Sequence, residues 1–179
     1  VLNRMKERGV EADFIVTATT RPRRDYEIDG ISYKFVSREA FDEMIKNNEL
    51  LEYAQVYGNW YGVPRQPVSR ALDRGADAII KVDIQGAVTI KKNLPGACFV
   101  FITPPRIAEL PGRLKRRNTE SEYERELRLK TAGSEFEKLS VFDYVVFNPE
   151  GEIDAAVEDV LTIIRAEKLK VKPAAKNPV

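Results

Sequence analysis

The chain of 179 residues balances 29 lysines and arginines against 28 acids and is 43% hydrophobic, which fits one globular domain and argues against a general nucleic-acid or membrane surface. Histidine is absent, so histidine general bases, Ser-His triads and His-ligated zinc drop out in one step. No apolar run reaches the roughly 20 residues that span a bilayer and no signal-peptide pattern opens the sequence, so a soluble cytoplasmic protein without nucleic-acid or membrane partners is expected.

Val1 to Arg8 places Val1, Leu2 and Met5 at helical spacing, with Gly9 as a stop. Asp13 to Thr20 reads as a strand leading into TATTRPRR, which starts at Thr17. Pro22 fixes its own φ and pushes Arg21 out of the α region, so Arg21 and Arg24 sit on a stiff turn. Two guanidiniums placed this way suit a phosphate dianion, which each can grip through two parallel N–H donors. A turn at Asp29-Gly30 leads to an alternating strand, Ile31 to Val36, carrying Tyr33. Ser37 to Asn48 reads as a helix with Glu39 in its first turn and Phe41, Met44 and Ile45 as its apolar stripe. A second strand-like run carries Glu52, Tyr53 and Tyr61, and tyrosine hydroxyls add neutral donors for the same phosphate. Gln66 to Asp73 is a further helix, ending at Gly75.

Asp77 to Asp83 (DAIIKVD) reads as a core strand with Asp83 at its C-terminal end, the edge where open α/β sheets bind ligands. A helix follows from Gln85 to about Asn93. Ala97 to Thr103 (ACFVFIT) is the next strand, stopped by Pro104-Pro105. The single cysteine, Cys98, lies inside it and reads as a buried small hydrophobe in a reducing compartment. The charge-dense stretch from Ile107 to Lys130 reads either as a solvated face or as a helical hairpin with arginines turned inward. Arg113 and Arg117 share a face at i, i+4, Ser121-x-x-Glu124 is a capping box, and Arg128 lies on the helix that box starts. An interior proline costs a helix about 3 kcal/mol, so Pro111-Gly112 favours a start of the first hairpin helix there. Phe136 and Leu139 close the long helix, Tyr144 to Phe147 is a buried strand with Asn148 just past it, and Ile153 to Lys168 is an amphipathic helix. The tail LKVKPAAKNPV has little to bury and is expected to fray.

The order TATTRPRR, DG-x-x-Y-x-F, helix, LLEYAQ, GNWYG, followed by VDIQGA, RLKRRNTES and VVFN, resembles the guanylate kinases over nearly the whole chain. These are P-loop enzymes that move the γ-phosphoryl group of ATP onto GMP. The resemblance implies an α/β, three-layer P-loop nucleoside monophosphate kinase fold with a parallel core sheet, a small mixed-sheet GMP-binding domain and a helical lid. Core would cover residues 1–16, 76–105 and 133–168, the GMP-binding domain 17–75, the lid 106–132 and a tail 169–179. GMP and ATP would be the ligands, with Mg²⁺ accompanying ATP, in a monomer or homodimer.

Carried over by position, the resemblance puts Arg21, Arg24, Tyr33 and Tyr61 at the acceptor phosphate, Thr17 opposite guanine O6, and Glu52 on the base. A carboxylate there can accept from guanine N1–H and the 2-amino group, while adenine would set a lone pair against it. The reading of Glu52 from residues alone is a surface glutamate at a strand start. Asp83 would lie near the base and, through water, near the metal. Arg113, Arg117 and Arg128 would be the catalytic lid arginines, and Asn148 would lie near the adenine of ATP. In the family a glycine-rich loop, GxxxxGK[ST], precedes the first helix and cradles the ATP phosphates. The sequence starts downstream of it, so an upstream segment is expected, with loss of the loop as the alternative.

Two positions depart from the family pattern. Val63 stands where a serine or threonine is usual, removing one donor to O6, and Lys81 stands where an acid is usual. Lys81 could pair with Asp83 or Glu52, or supply a new donor to the ligand. Two other functions stay open: a non-catalytic module that binds a phosphorylated peptide, and a related kinase for a phosphorylated sugar.

Overall fold

The computed structural model describes residues 1–117 and 139–171, which fall into two compact units: Glu11–Pro95, and Val1–Val10 with the described residues from Gly96 on.

In the unit Glu11–Pro95, β1 (Asp13–Phe14) pairs in parallel with β6 (Ala78–Ile79). A separate four-stranded sheet has the order β3-β2-β5-β4, built from β2 (Ala18–Thr19), β3 (Lys34–Phe35), β4 (Leu50–Val56) and β5 (Asn59–Pro64). The strand expected over Asp13 to Thr20 is therefore two short strands in two sheets. Residues 15–17 carry the chain across: the Ile15 N–H still bonds the Ile79 carbonyl, while the Thr17 carbonyl already accepts from Lys34. The strand expected from Ile31 is shorter as well, because Asp29 to Tyr33 closes a turn. There Gly30 adopts φ 74°, its N–H bonds Tyr33 O at 2.8 Å, and Asp29 Oδ1 accepts from the Phe35 N–H.

Helix α2 (Arg38–Lys46) is capped by Ser37, whose Oγ accepts the Ala40 N–H, and it buries Phe41 and Met44. These two side chains form a core with Ala18 and Leu50, against which Val36, Ile45 and Trp60 pack. Gly62 on β5 is required by this packing, since a Cβ there would meet Leu50 Cδ1 at 2.8 Å and Phe41 Cζ at 3.0 Å. Strands β4 and β5 join through a two-residue turn, Tyr57-Gly58, with φ of 49° and 79°, the primed geometry that follows strand twist.

Strand β4 does not alternate at its start: Leu50, Leu51 and Glu52 are all buried. The pairing register explains it, because Leu50 faces Pro64 and Glu52 faces Val63, which leaves Leu51 as the extra residue of a bulge. Its orphaned carbonyl accepts from the Asn93 side chain at 3.2 Å, and the Leu50 carbonyl accepts from Arg65 at 3.0 Å. Arg65 opens α3 (Arg65–Asp73), and Asn93 ends α4 (Ile84–Asn93). Of the strand expected over Asp77 to Asp83 only β6 forms, and Lys81 to Asp83 is an unpaired segment leading into α4.

In the other unit, α1 (Leu2–Glu7) is held to the last helix, α6 (Ile153–Leu169), by Arg4 on Asp154 at 2.8 Å and by Arg8 on Glu158. Strands β7 (Val100–Thr103) and β8 (Tyr144–Phe147) pair in parallel, Val100 opposite Tyr144 through Thr103 opposite Phe147. Three expectations fail here. Cys98 precedes the strand and is exposed, not buried. In β8 only Val146 is fully buried while Val145 and Phe147 are exposed, so the strand buries one face and not two. Leu139 belongs to a short 3₁₀ turn, Leu139–Val141, and not to the end of a long helix. Helix α5 (Leu110–Arg117) starts one residue before Pro111, in the first turn where proline is tolerated. No helix among the described residues is long and apolar enough to cross a membrane.

Candidate functional site

The arginine turn is fixed from two sides. Thr19 is fully buried on β2, where its hydroxyl donates to the Trp60 carbonyl and accepts the Arg21 N–H at 3.2 Å. From beyond the turn comes Glu27, 5% exposed, whose carboxylate takes two bonds from Arg21 Nη2 at 2.7 and 2.9 Å and a third from the Arg24 backbone N–H at 2.9 Å. Burial works against both charges, but the hydrogen bonds win: Glu27 is held below the usual carboxylate range by Arg21 and Arg24, and Arg21 is raised by Glu27 and Tyr61. Glu27 was invisible as a site residue in the sequence. The only hint was an acid three residues after the last of three arginines within four positions.

Arg21 lies against the Tyr33 ring, 5.6 Å from guanidinium carbon to centroid, and Tyr33 meets Tyr61 edge-on at 6.0 Å. The structure thus brings Arg21, Tyr33 and Tyr61 together. Arg24 is placed differently: its guanidinium donates to the Tyr26 hydroxyl at 3.2 Å, and no contact joins it to Tyr33 or Tyr61. The Lys81 ammonium lies 4.4 Å from the Tyr33 centroid and forms no ion pair with Asp83 or Glu52, which closes two of the three choices open for it.

Glu52 is no surface residue. It is 4% exposed, and Oε2 is buried with no hydrogen-bond donor. The bulge aims it at the first turn of α4, so close that a Cβ on Gly86 would lie 2.9 Å from Oε1. The Gly86 N–H goes instead to Asp83 Oδ1 at 2.9 Å, since Asp83 is the cap of α4. Burial, with the Asp83 charge nearby, pushes the Glu52 pKa up to about 7. Val63, opposite Glu52 in the β4–β5 register, is fully buried, and Thr17 is buried with its hydroxyl 3.5 Å from the Lys81 carbonyl. Lys81 and Asp83 are two residues apart, about 7 Å of extended chain, and so link the tyrosine cluster to the Glu52 end.

In the second unit, Arg113 on α5 donates to the Asn148 carbonyl and to Glu109, both at 2.8 Å, which ties two expected nucleotide contacts to each other. The side chain of Arg117 and all of Arg128 lie outside the described residues, as does the capping box from Ser121 to Glu124.

Comparison with known proteins agrees over most of the length. The guanylate kinase family model matches residues 1–167. The guanylate kinase of Carboxydothermus hydrogenoformans is 41% identical over 172 residues, 96% of this chain and 83% of that protein. That of Oceanobacillus iheyensis is 39% identical, over 99% of this chain and 85% of its own. The crystal structure of guanylate kinase from Anaplasma phagocytophilum superposes with a TM-score of 0.78 at 32% identity, covering 95% of this chain and 81% of that one. With its α/β architecture and mixed four-stranded sheet matched in a solved relative, the chain belongs to the guanylate kinase family.

Proposed function

We propose that this protein transfers the γ-phosphoryl group of MgATP to GMP, giving GDP and ADP, and that Glu52 reads the base. The observation that carries this is the buried Glu52 Oε2 without a donor among the described residues, in the same unit as the Arg21, Tyr33 and Tyr61 cluster. An unsatisfied buried acceptor costs on the order of 1–3 kcal/mol, so a ligand bringing two adjacent N–H donors is favoured there. Guanine offers N1–H and its 2-amino group, whereas adenine leaves the carboxylate facing a lone pair. Thr17, buried with its hydroxyl near the Lys81 carbonyl, suits O6.

At the other end Arg21, kept in place by Glu27, works with Arg24, Tyr33 and Tyr61 to hold the acceptor phosphate with one oxygen free to attack. Phosphoryl transfer asks the protein for alignment and charge neutralisation more than for covalent chemistry, so the absence of histidine is no obstacle. Arg113, Arg117 and Arg128 would stabilise charge on the moving group from the lid over residues 106–132, and Asn148 would lie beside the adenine. Lid closure would also keep water from the γ-phosphate. Asp83 is exposed and commits one carboxylate oxygen to its helix cap, so it suits a position on the water shell of Mg²⁺. Bound with ATP, that ion neutralises the phosphate oxygens. The GMP-binding role is assigned to residues 17–75.

The test is ADP formation from ATP by the full-length protein with GMP or AMP as acceptor. Turnover dependent on GMP, with AMP poorer by roughly 10⁴-fold in kcat/KM, is expected. Equal use of AMP, or no turnover with GMP, would remove the reading.

A further inference from the structure

Lys81 lies between β6 and α4, exposed, with its ammonium on the ring of Tyr33. The same ring bears Arg21 and touches Tyr61. Arg21 is neutralised by its bidentate pair with Glu27 and gives a third donor to the Pro22 carbonyl, so Arg21, Glu27, Tyr33 and Tyr61 together carry no net charge. Among the described residues Lys81 has no such partner: neither Asp83, two residues on, nor Glu52 pairs with it. A cation–π contact at a wet site is worth only about 0.5–1 kcal/mol, so the ammonium can leave the ring for a stronger acceptor. Its three donors on a flexible stem make it a movable point charge beside a fixed, neutralised one.

We propose that Lys81 is a further substrate-binding residue, a movable positive charge beside the neutralised Arg21–Glu27 pair, donating from its position over Tyr33 to an oxygen of the phosphate monoester. The inference rests on the GMP-site reading and adds a residue to it. It also assigns Lys81 to the phosphate and not to the base.

Calorimetric titration of GMP, guanosine and inorganic phosphate into the wild-type protein, Lys81→Met and Lys81→Arg tests this. Lys81→Met should weaken GMP and inorganic phosphate alike, by roughly 3- to 10-fold, and leave guanosine unchanged. Raising the salt should weaken GMP less in that variant than in the wild type. Lys81→Arg should stay within about 3-fold of wild type, because charge and reach survive. Unchanged GMP affinity in Lys81→Met, or an equal loss for guanosine, would overturn the assignment. If the wild-type protein binds inorganic phosphate but not GMP, the GMP reading falls while the phosphate arm still decides the role of Lys81; if it binds neither, both fall.

Discussion

Glu27 and Glu52 are exposed to the same degree, 5% and 4%, in the same unit, yet one carboxylate is pushed below its usual range and the other up to about 7. Equal exposure hides two differences: Glu52 is packed in more deeply, so burial costs its charge more, and it lacks the donors that Glu27 has. Glu27 collects three N–H bonds from the arginine turn Arg21 to Arg24, whereas Glu52 lies against a helix start whose Gly86 N–H is already taken by Asp83. A buried acid with its donors supplied locks a piece of structure. One left without them keeps an acceptor open, at a standing cost to the fold.

Glu52→Gln attacks this contrast most directly. GMP affinity should fall by at least about 100-fold, near 3 kcal/mol, because one accepting oxygen becomes an amide donor facing donors, while inorganic phosphate should bind as before. Comparable losses for both ligands in a binding titration would mean that Glu52 does not read the base. Glu27→Ala should do the reverse. Removing one partner of the buried pair leaves Arg21 uncompensated, and chemical denaturation should show a loss of about 3 kcal/mol, with phosphate affinity falling too. A loss under about 1 kcal/mol would reduce Glu27 to a bystander.

The pH dependence follows with its sign fixed by the raised value. Glu52 is protonated in the ligand-free fold up to about 7 but ionises near 4.5 when unfolded, so its contribution is intact below 4.5 and disappears as pH climbs through 7. Ligand-free protein should lose on the order of 2–3 kcal/mol across that window, a slope that Glu52→Gln should flatten. GMP should bind better as pH rises through the same range, since only the carboxylate accepts both bonds. The smallest effect is expected from Gly86→Ala. Its new methyl would press on the Glu52 carboxylate, weakening GMP about 10-fold, while overall stability shifts by less than about 1 kcal/mol because alanine also favours the helix. A GMP affinity equal to wild type would show that Glu52 has room to move aside.

Much of this was legible in the residues. The two helices around the small sheet, the Ser37 start, the β8 segment and α6 follow from apolar spacing and caps, which act over a few residues. Arg21, Tyr33 and Tyr61 were legible as a group that the structure brings together, while Arg24 stands apart from it. The division of Asp13 to Thr20 between two sheets was not, since a β-prone run has no mark for a change of partner. Nor was the burial of Glu52, which depends on an extra residue opposite Val63 and Pro64 and on a helix more than 30 positions away. Cys98 misled for a related reason: an apolar neighbourhood in sequence is not a buried one when the strand starts two residues later.

The bulge at Leu51 has an evolutionary corollary. Were it regularised, by deleting one residue from β4 or adding one to β5, everything on one side of the change would turn over, and the string Leu-Leu-Glu would present its acid to bulk solvent with no letter altered. Descendants could then keep their overall likeness to this family, and every residue but one of this sequence, while Glu52 no longer met the start of α4.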